Sequence, residues 1–265
     1  MTEDVLTELC TAIELARRGA RVAADAFGSE TRTVRHKADG SPVTPADLAV
    51  EDLLRTALAE HFPDDGVLGE ERPSRPGSSG RRWIIDPISG TADFVHRVPL
   101  YSVDLALEDE HGPVLAVSDL PASCRVLAAG RGVGCWVLPY GADPAAGQEH
   151  RARVSGRTEV EAAVVCALGL RNWPLDVLTR LHATCALRDG VHAISRLLTG
   201  RADAIVVAGS TMSYEDLACL PLLVEEAGGR VTDLAGAPVL TGDGTVLATN
   251  GTLHEDLLGL LADDL

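Results

Sequence analysis

The stretch from Val67 to Ala128 constrains this chain's fold more than any other. Five short apolar segments follow one another there: Val67-Leu68, Trp83-Ile-Ile-Asp86, Ser102 to Leu107, Val114 to Val117 and Val126 to Ala128. Polar or Gly/Pro turns separate the middle ones, a spacing that predicts an antiparallel meander. Helices are expected before it. Val5, Leu9, Ile13, Ala16 and Ala20 recur at helical spacing within Asp4 to Phe27. Thr44-Pro45-Ala46-Asp47 reads as a helix start, with Thr44 as N-cap, Pro45 at the first position and Asp47 returning to the cap amide. That helix buries Val50, Leu53, Leu54, Ala57 and Leu58 and ends at Pro63. After Ala128 the pattern changes to alternation. Strands are expected at Val160 to Leu168, Ala204 to Val207 and Val246 to Thr249. Helices are expected at Leu175 to Leu181, His192 to Thr199, Tyr214 to Ala227 and from about Leu253. The order predicts a mixed α/β protein of two halves, 1–140 and 141–265, packed as one body, with a loop or boundary in the Pro/Gly-rich Pro139 to Arg153.

Composition narrows the function. Aromatics make up only 3% of the 265 residues, so the core must be built from Ala, Val and Leu. A net charge of −16 offers no basic stripe for a phosphate backbone, which excludes a general nucleic-acid binder. It also argues against docking on an anionic membrane. A small anionic substrate stays possible, because a bound cation can reverse the sign of one pocket. The acidic start Met1-Thr-Glu-Asp4 lacks a signal peptide's basic region, and no apolar run approaches membrane-spanning length, so a cytoplasmic location is expected. Six cysteines are scattered without a C-x-x-C pair and read as reduced, buried small hydrophobes.

Three acidic features stand out by position. Glu70-Glu71 follows a short apolar segment. Asp86 closes an apolar strand and opens the turn Pro87-Ile88-Ser89-Gly90-Thr91. Asp216 lies in the first turn of a helix. Carboxylates at a strand's carboxyl end or a helix's amino end suit Mg²⁺, which takes oxygen ligands. Backbone amides at Gly90-Thr91 suit a phosphate. Taken singly, these three and the helix-start Asp47 have plainer readings: Glu70-Glu71 as a solvated pair, Asp47 as a capping residue, Asp86 as a turn former and Asp216 as a helix-dipole partner.

Together the motifs resemble the inositol monophosphatase family. The resemblance rests on Lys37-Ala-Asp-Gly-Ser-Pro-Val-Thr-Pro-Ala-Asp47, Gly69-Glu70-Glu71, Trp83-Ile-Ile-Asp86-Pro-Ile-Ser-Gly-Thr91, Tyr214-Glu-Asp216, Glu226-Ala-Gly-Gly229 and Ala248-Thr-Asn-Gly251. Within the family it looks most like the bacterial histidinol-phosphate phosphatase branch. The resemblance implies a layered αβαβα sandwich, Mg²⁺-dependent hydrolysis of a small phosphomonoester and a homodimer. It implies a first metal on Glu70, Asp86 and the Ile88 carbonyl, and a second on Asp86 and Asp216. Thr91, supported by Asp47, would help activate water, and Glu70 belongs to the same catalytic set. Ser89, Gly90 and Thr91 would hold the phosphate, with His192 and Asp216 toward the substrate.

One position departs from the motif. The family pattern Asp-Pro-Ile-Asp-Gly-Thr carries a second aspartate where this chain has Ser89, so the second metal site is expected to be one charge short. Glu215, in place of the usual Trp, can lend a carboxylate or be a solvated helix end; Asp93 stands four positions on. Three readings stay open: a phosphatase with a weakened second metal, a family member repurposed for another reaction, or a non-catalytic binding protein.

Overall fold

The meander expected from the apolar segments forms a six-stranded sheet. In the computed structural model, which describes residues 2–29, 33–38, 40–142, 150–170, 173–190, 193–209 and 212–262, the chain divides into two units, Met1–His150 and Arg151–Leu265.

In the first unit, α1 (Thr2–Gly28) precedes a small hairpin of β1 (Arg35–His36) and β2 (Pro42–Val43), then α2 (Pro45–His61). The sheet follows as β3 (Gly66–Gly69), β4 (Arg82–Ser89), β5 (Ser102–Asp109), β6 (Gly112–Leu120), β7 (Arg125–Gly130) and β8 (Gly134–Pro139), with the short α3 (Thr91–Val95) after β4. Spatial order equals chain order. β3 runs parallel to β4, and every later pair is antiparallel. One sheet face carries Trp83, Ile85, Val103, Leu105, Leu115, Val117, Val126 and Ala128, clustered with Leu9, Ala12, Ala16, Ala20, Val50, Leu54 and Leu58 of α1 and α2. The small α1 side chains recur every three or four residues, the period that keeps one helix face on a sheet. Trp83 is fully buried, and its indole N–H donates to Asp65 Oδ2 at 3.0 Å, so the core's largest side chain leaves no polar atom unmet.

In the second unit, β9 (Val164–Leu168), α4 (Leu175–Thr184), β10 (Ala186–Asp189), α5 (Ala193–Leu198), β11 (Ala204–Val207), α6 (Tyr214–Leu217), α7 (Leu220–Glu226), β12 (Arg230–Thr232), β13 (Val246–Thr249) and α8 (His254–Ala262) alternate. The sheet order is β10-β9-β11-β13-β12, parallel through β10, β9 and β11 and antiparallel beyond. Leu253, Leu257 and Leu261, four residues apart at the start of and along α8, are fully buried with Val177 and Leu181 of α4. The single helix expected from Tyr214 to Ala227 is two. Pro221 lacks the N–H that a continuous helix would use and sits in the first turn of α7, so the chain restarts there. Gly228, at φ 88°, closes α7 as expected.

The second core holds a polar pin. His254 is fully buried, its ring nitrogens within 3.0 Å of Thr232 Oγ1 and Thr249 Oγ1. Burial, with Arg230 adding to it, lowers its pKa to about 4. The unfolded chain takes up this proton near pH 6.5, the folded chain only near 4. Stability is therefore lost as pH falls through that window, by roughly 3 kcal/mol for this group. Asp119 acts in the opposite sense over part of the same window, because burial raises its pKa to about 6. Urea unfolding at pH 7 and 4.5 should show a smaller acid loss in His254→Gln than in the native chain; equal losses would disprove the assignment.

Candidate active site

Four elements of the first unit converge on the acidic motifs. The first is the start of α2. Thr44 caps it: its hydroxyl accepts from the Ala46 amide at 3.1 Å, while Asp47 Oδ2 accepts from the Thr44 amide at 2.8 Å and from its hydroxyl at 2.6 Å. The plain capping role of Asp47 is thus real, and it uses one carboxylate oxygen. The other, Oδ1, lies 3.3 Å from Thr91 Oγ1. Asp47 is fully buried, and burial raises its pKa even against the hydrogen bonds from Thr44 and Thr91.

The second element is the turn after β4. The strand runs on to Ser89, further than the apolar run foretells, and its pairing with β5 is irregular between Asp86 and Ser89. Gly90 follows at φ 86°, and a Cβ there would stand 2.7 Å from the Leu100 carbonyl oxygen. Only glycine fits. The turn swings Thr91 back, so that its hydroxyl donates to the Ile88 carbonyl at 2.9 Å while facing Asp47. Asp47, Ile88 and Thr91 are therefore together, and Asp86 lies two residues before Ile88 with a side chain 1% exposed.

The third is the end of β3. Gly69 pairs with Ile85, and the Glu70 amide donates to the Ile85 carbonyl at 3.3 Å, which carries Glu70 alongside Asp86. The turn is held by Glu51, which lies outside every motif named above. Its carboxylate is fully buried and accepts from the Glu71 amide at 2.7 Å, the Arg72 amide at 3.1 Å and Arg55 Nε at 2.6 Å. A Cβ at Gly69 would collide with that carboxylate. The available signal was the spacing: Asp47 and Glu51 stand four apart on the face of α2 that also buries Val50, Leu54 and Leu58.

The fourth is Lys37, the only lysine in the chain. Its ammonium lies 2.6 Å from both Glu70 Oε1 and Glu71 Oε1. Burial works to lower its pKa, but the hydrogen bonds and charges of the two glutamates outweigh this and raise it. Burial also raises the Glu71 carboxyl, with Lys37 opposing.

In the second unit Asp216 caps α6 reciprocally with Ser213: its Oδ2 accepts from the Ser213 amide at 2.7 Å, and its own amide donates to Ser213 Oγ at 3.3 Å. Glu215 beside it is partly exposed. His192 lies outside the described residues.

Among the described residues, no three His, Cys, Asp or Glu side chains stand ready as a metal cage. The donors nevertheless match a hard cation. Glu70 and Asp86 offer carboxylate oxygens and Ile88 a carbonyl oxygen, with no thiolate or imidazole among them, which is the chemistry of Mg²⁺ rather than of softer metals.

The comparisons with known proteins agree with these motifs. A model of the inositol monophosphatase family matches residues 4–264. The chain is 37% identical over 244 residues to a histidinol-phosphatase of Chlorobaculum parvum, covering 92% of each. It is 36% identical over 258 residues to a histidinol-phosphatase of Mycobacterium tuberculosis, covering 95% of this chain and 96% of the relative. Its structure is similar to that of the extragenic suppressor protein SuhB from Bartonella henselae, at a TM-score of 0.86 and 25% identity, covering 98% of this chain and all of that one. With matched sequence along almost its whole length and the fold of a solved relative, the chain belongs to the inositol monophosphatase family.

Proposed function

We propose that this protein is a Mg²⁺-dependent phosphatase of a small phosphomonoester, with histidinol phosphate the first substrate to test. The observation that carries the reading is the Thr91–Asp47 hydrogen bond at 3.3 Å, set beside the Ile88 carbonyl in a chain of this family. Glu70, Asp86 and the Ile88 carbonyl would hold the cation, and the family motif gives Asp216 the part of a further carboxylate. When bound, Mg²⁺ supplies charge stabilisation at the phosphoryl oxygens and a more acidic water.

The chain's own groups do the rest. Thr91 Oγ1 accepts a proton from the attacking water as its own proton passes to Asp47 Oδ1. The burial that raises the Asp47 pKa makes it the better acceptor in this transfer. Amides of Gly90 and Thr91 orient the phosphate, with the Ser89 hydroxyl beside them. The supports for histidinol phosphate are the two relatives so named, each above one-third identity over nine-tenths of the chain.

Ser89 favours a second reading, in which the fold serves another reaction or only binds. Phosphate release from histidinol phosphate and inositol phosphate, with Mg²⁺ titrated, separates the two. The phosphatase reading expects turnover by the native chain; activity confined to Ser89→Asp would refute it.

A further inference from the structure

We propose that Thr44 is a positioning residue of this site, holding Asp47 so that the proton from Thr91 arrives on Oδ1. The proposal rests on the phosphatase reading above and adds to it the residue that chooses between the two oxygens of one carboxylate.

Each oxygen of a carboxylate has two lone pairs, and either oxygen can take a proton. Both lone pairs of Asp47 Oδ2 are engaged by Thr44, whose amide donates at 2.8 Å and whose hydroxyl donates at 2.6 Å. The hydroxyl has one proton, and its other contact fixes where that proton goes. Its oxygen accepts from the Ala46 amide at 3.1 Å, which leaves the proton for Oδ2. Thr44 is 3% exposed and Asp47 fully buried, so bulk water does not reach the pair. With Oδ2 held, the planar carboxylate presents Oδ1 to Thr91 Oγ1, 3.3 Å away. The O–H bond broken at Thr91 is remade on a lone pair of Oδ1, and Thr91 takes a proton from the attacking water in exchange. The two hydrogen bonds at Oδ2 persist through the transfer.

Helix capping alone does not require this arrangement. Ser, Thr, Asp, Asn and Gly all serve as N-caps, and the cap side chain has only to accept from a backbone amide. The reciprocal box adds a bond from the cap amide to the carboxylate three residues on. The Ser213–Asp216 box of α6 has this form: the Ser213 hydroxyl accepts from the Asp216 amide at 3.3 Å, and Asp216 Oδ2 accepts from the Ser213 amide at 2.7 Å. At α2 the hydroxyl does more, donating to the carboxylate itself. The methyl group of Thr44 stiffens χ1 and so steadies that aim. Burial raises the Asp47 pKa, and the two bonds from Thr44 lead the hydrogen bonds that oppose it. The same residue thus keeps the carboxylate ionised and turns it.

The test is Thr44→Gly, which removes the hydroxyl, keeps the amide and costs a helix start little. Phosphate release from histidinol phosphate at saturating Mg²⁺ gives kcat and KM, and calorimetry without substrate gives Mn²⁺ affinity. Thr44→Gly is expected to lower kcat tenfold or more, the scale at which a misplaced catalytic group is felt. KM and Mn²⁺ affinity are expected to stay within twofold, a split that a merely structural cap would not produce. Thr44→Ser, which keeps the hydroxyl, is expected to recover most of the loss. Circular dichroism shows whether Thr44→Gly folds; if it does not, Thr44→Cys, with only a weak S–H donor, takes its place with the same expected loss and recovery. An undiminished kcat in Thr44→Gly, alongside an inactive Asp47→Asn, would overturn the proposal and leave the phosphatase reading standing. So would kcat, KM and Mn²⁺ affinity all worsening together. If the native chain releases no phosphate from histidinol phosphate or inositol phosphate, both fail.

Discussion

Glu70→Ala should lower Mg²⁺-dependent phosphate release by more than about 100-fold while leaving the fold intact. Disturbing partners outside a metal's immediate ligands already costs about 10–100-fold, and Glu70 is proposed as an immediate ligand. Its side chain is partly exposed at the end of β3 rather than in the core, so little packing is lost. Lys37 keeps its second carboxylate, Glu71, at 2.6 Å, so the loop carrying the lysine stays anchored. Steady-state phosphate release alongside circular dichroism of the same preparation checks both halves. An active Glu70→Ala would remove Glu70 from the site, and a misfolded one would mean that its role is structural.

Glu51→Ala should be the most destabilising single change near the site, by about 3–5 kcal/mol. Removing one member of a buried ion pair leaves the other charge uncompensated. Here Arg55 would lose its partner at 2.6 Å, and the amides of Glu71 and Arg72 would lose theirs together. The urea midpoint measures the loss. Phosphate release should fall as well, because these two amides set the path of the chain immediately after Glu70. Glu51→Gln keeps the volume and one acceptor and should cost less on both counts.

The contrast between Glu70 and Glu51 shows what the sequence made legible. Residues defined by local chemistry could be read directly. Thr44 and Asp47 announce a helix start, and both appear in the structure as a reciprocal cap. The apolar segments of the meander were long enough to show their character. Five elements of two to five residues fell below what periodicity resolves: β10, β12, the two strands of the β1–β2 hairpin, and α3. β8 is bounded by Gly134 and Pro139, and a proline at its end reads as the start of a loop. Pro221 stands inside an apolar run whose helical period continues past it and so masks the restart it causes. Glu51 was hidden for a different reason. What it faces is chain brought from elsewhere, the turn at Glu71 and Arg72, and a helix's own sequence does not say which loop will cross its buried face.

The two oxygens of Asp47 have different employers. Oδ2 belongs to the beginning of α2 and Oδ1 to Thr91. Helix initiation and the proposed proton transfer are thus inherited as one character, and selection cannot relax either without touching the other. A family member that abandoned phosphate chemistry while keeping this helix start would still carry the aspartate. Its presence in a distant relative is therefore evidence for the fold, and Thr91 is the residue whose loss would record the loss of the activity.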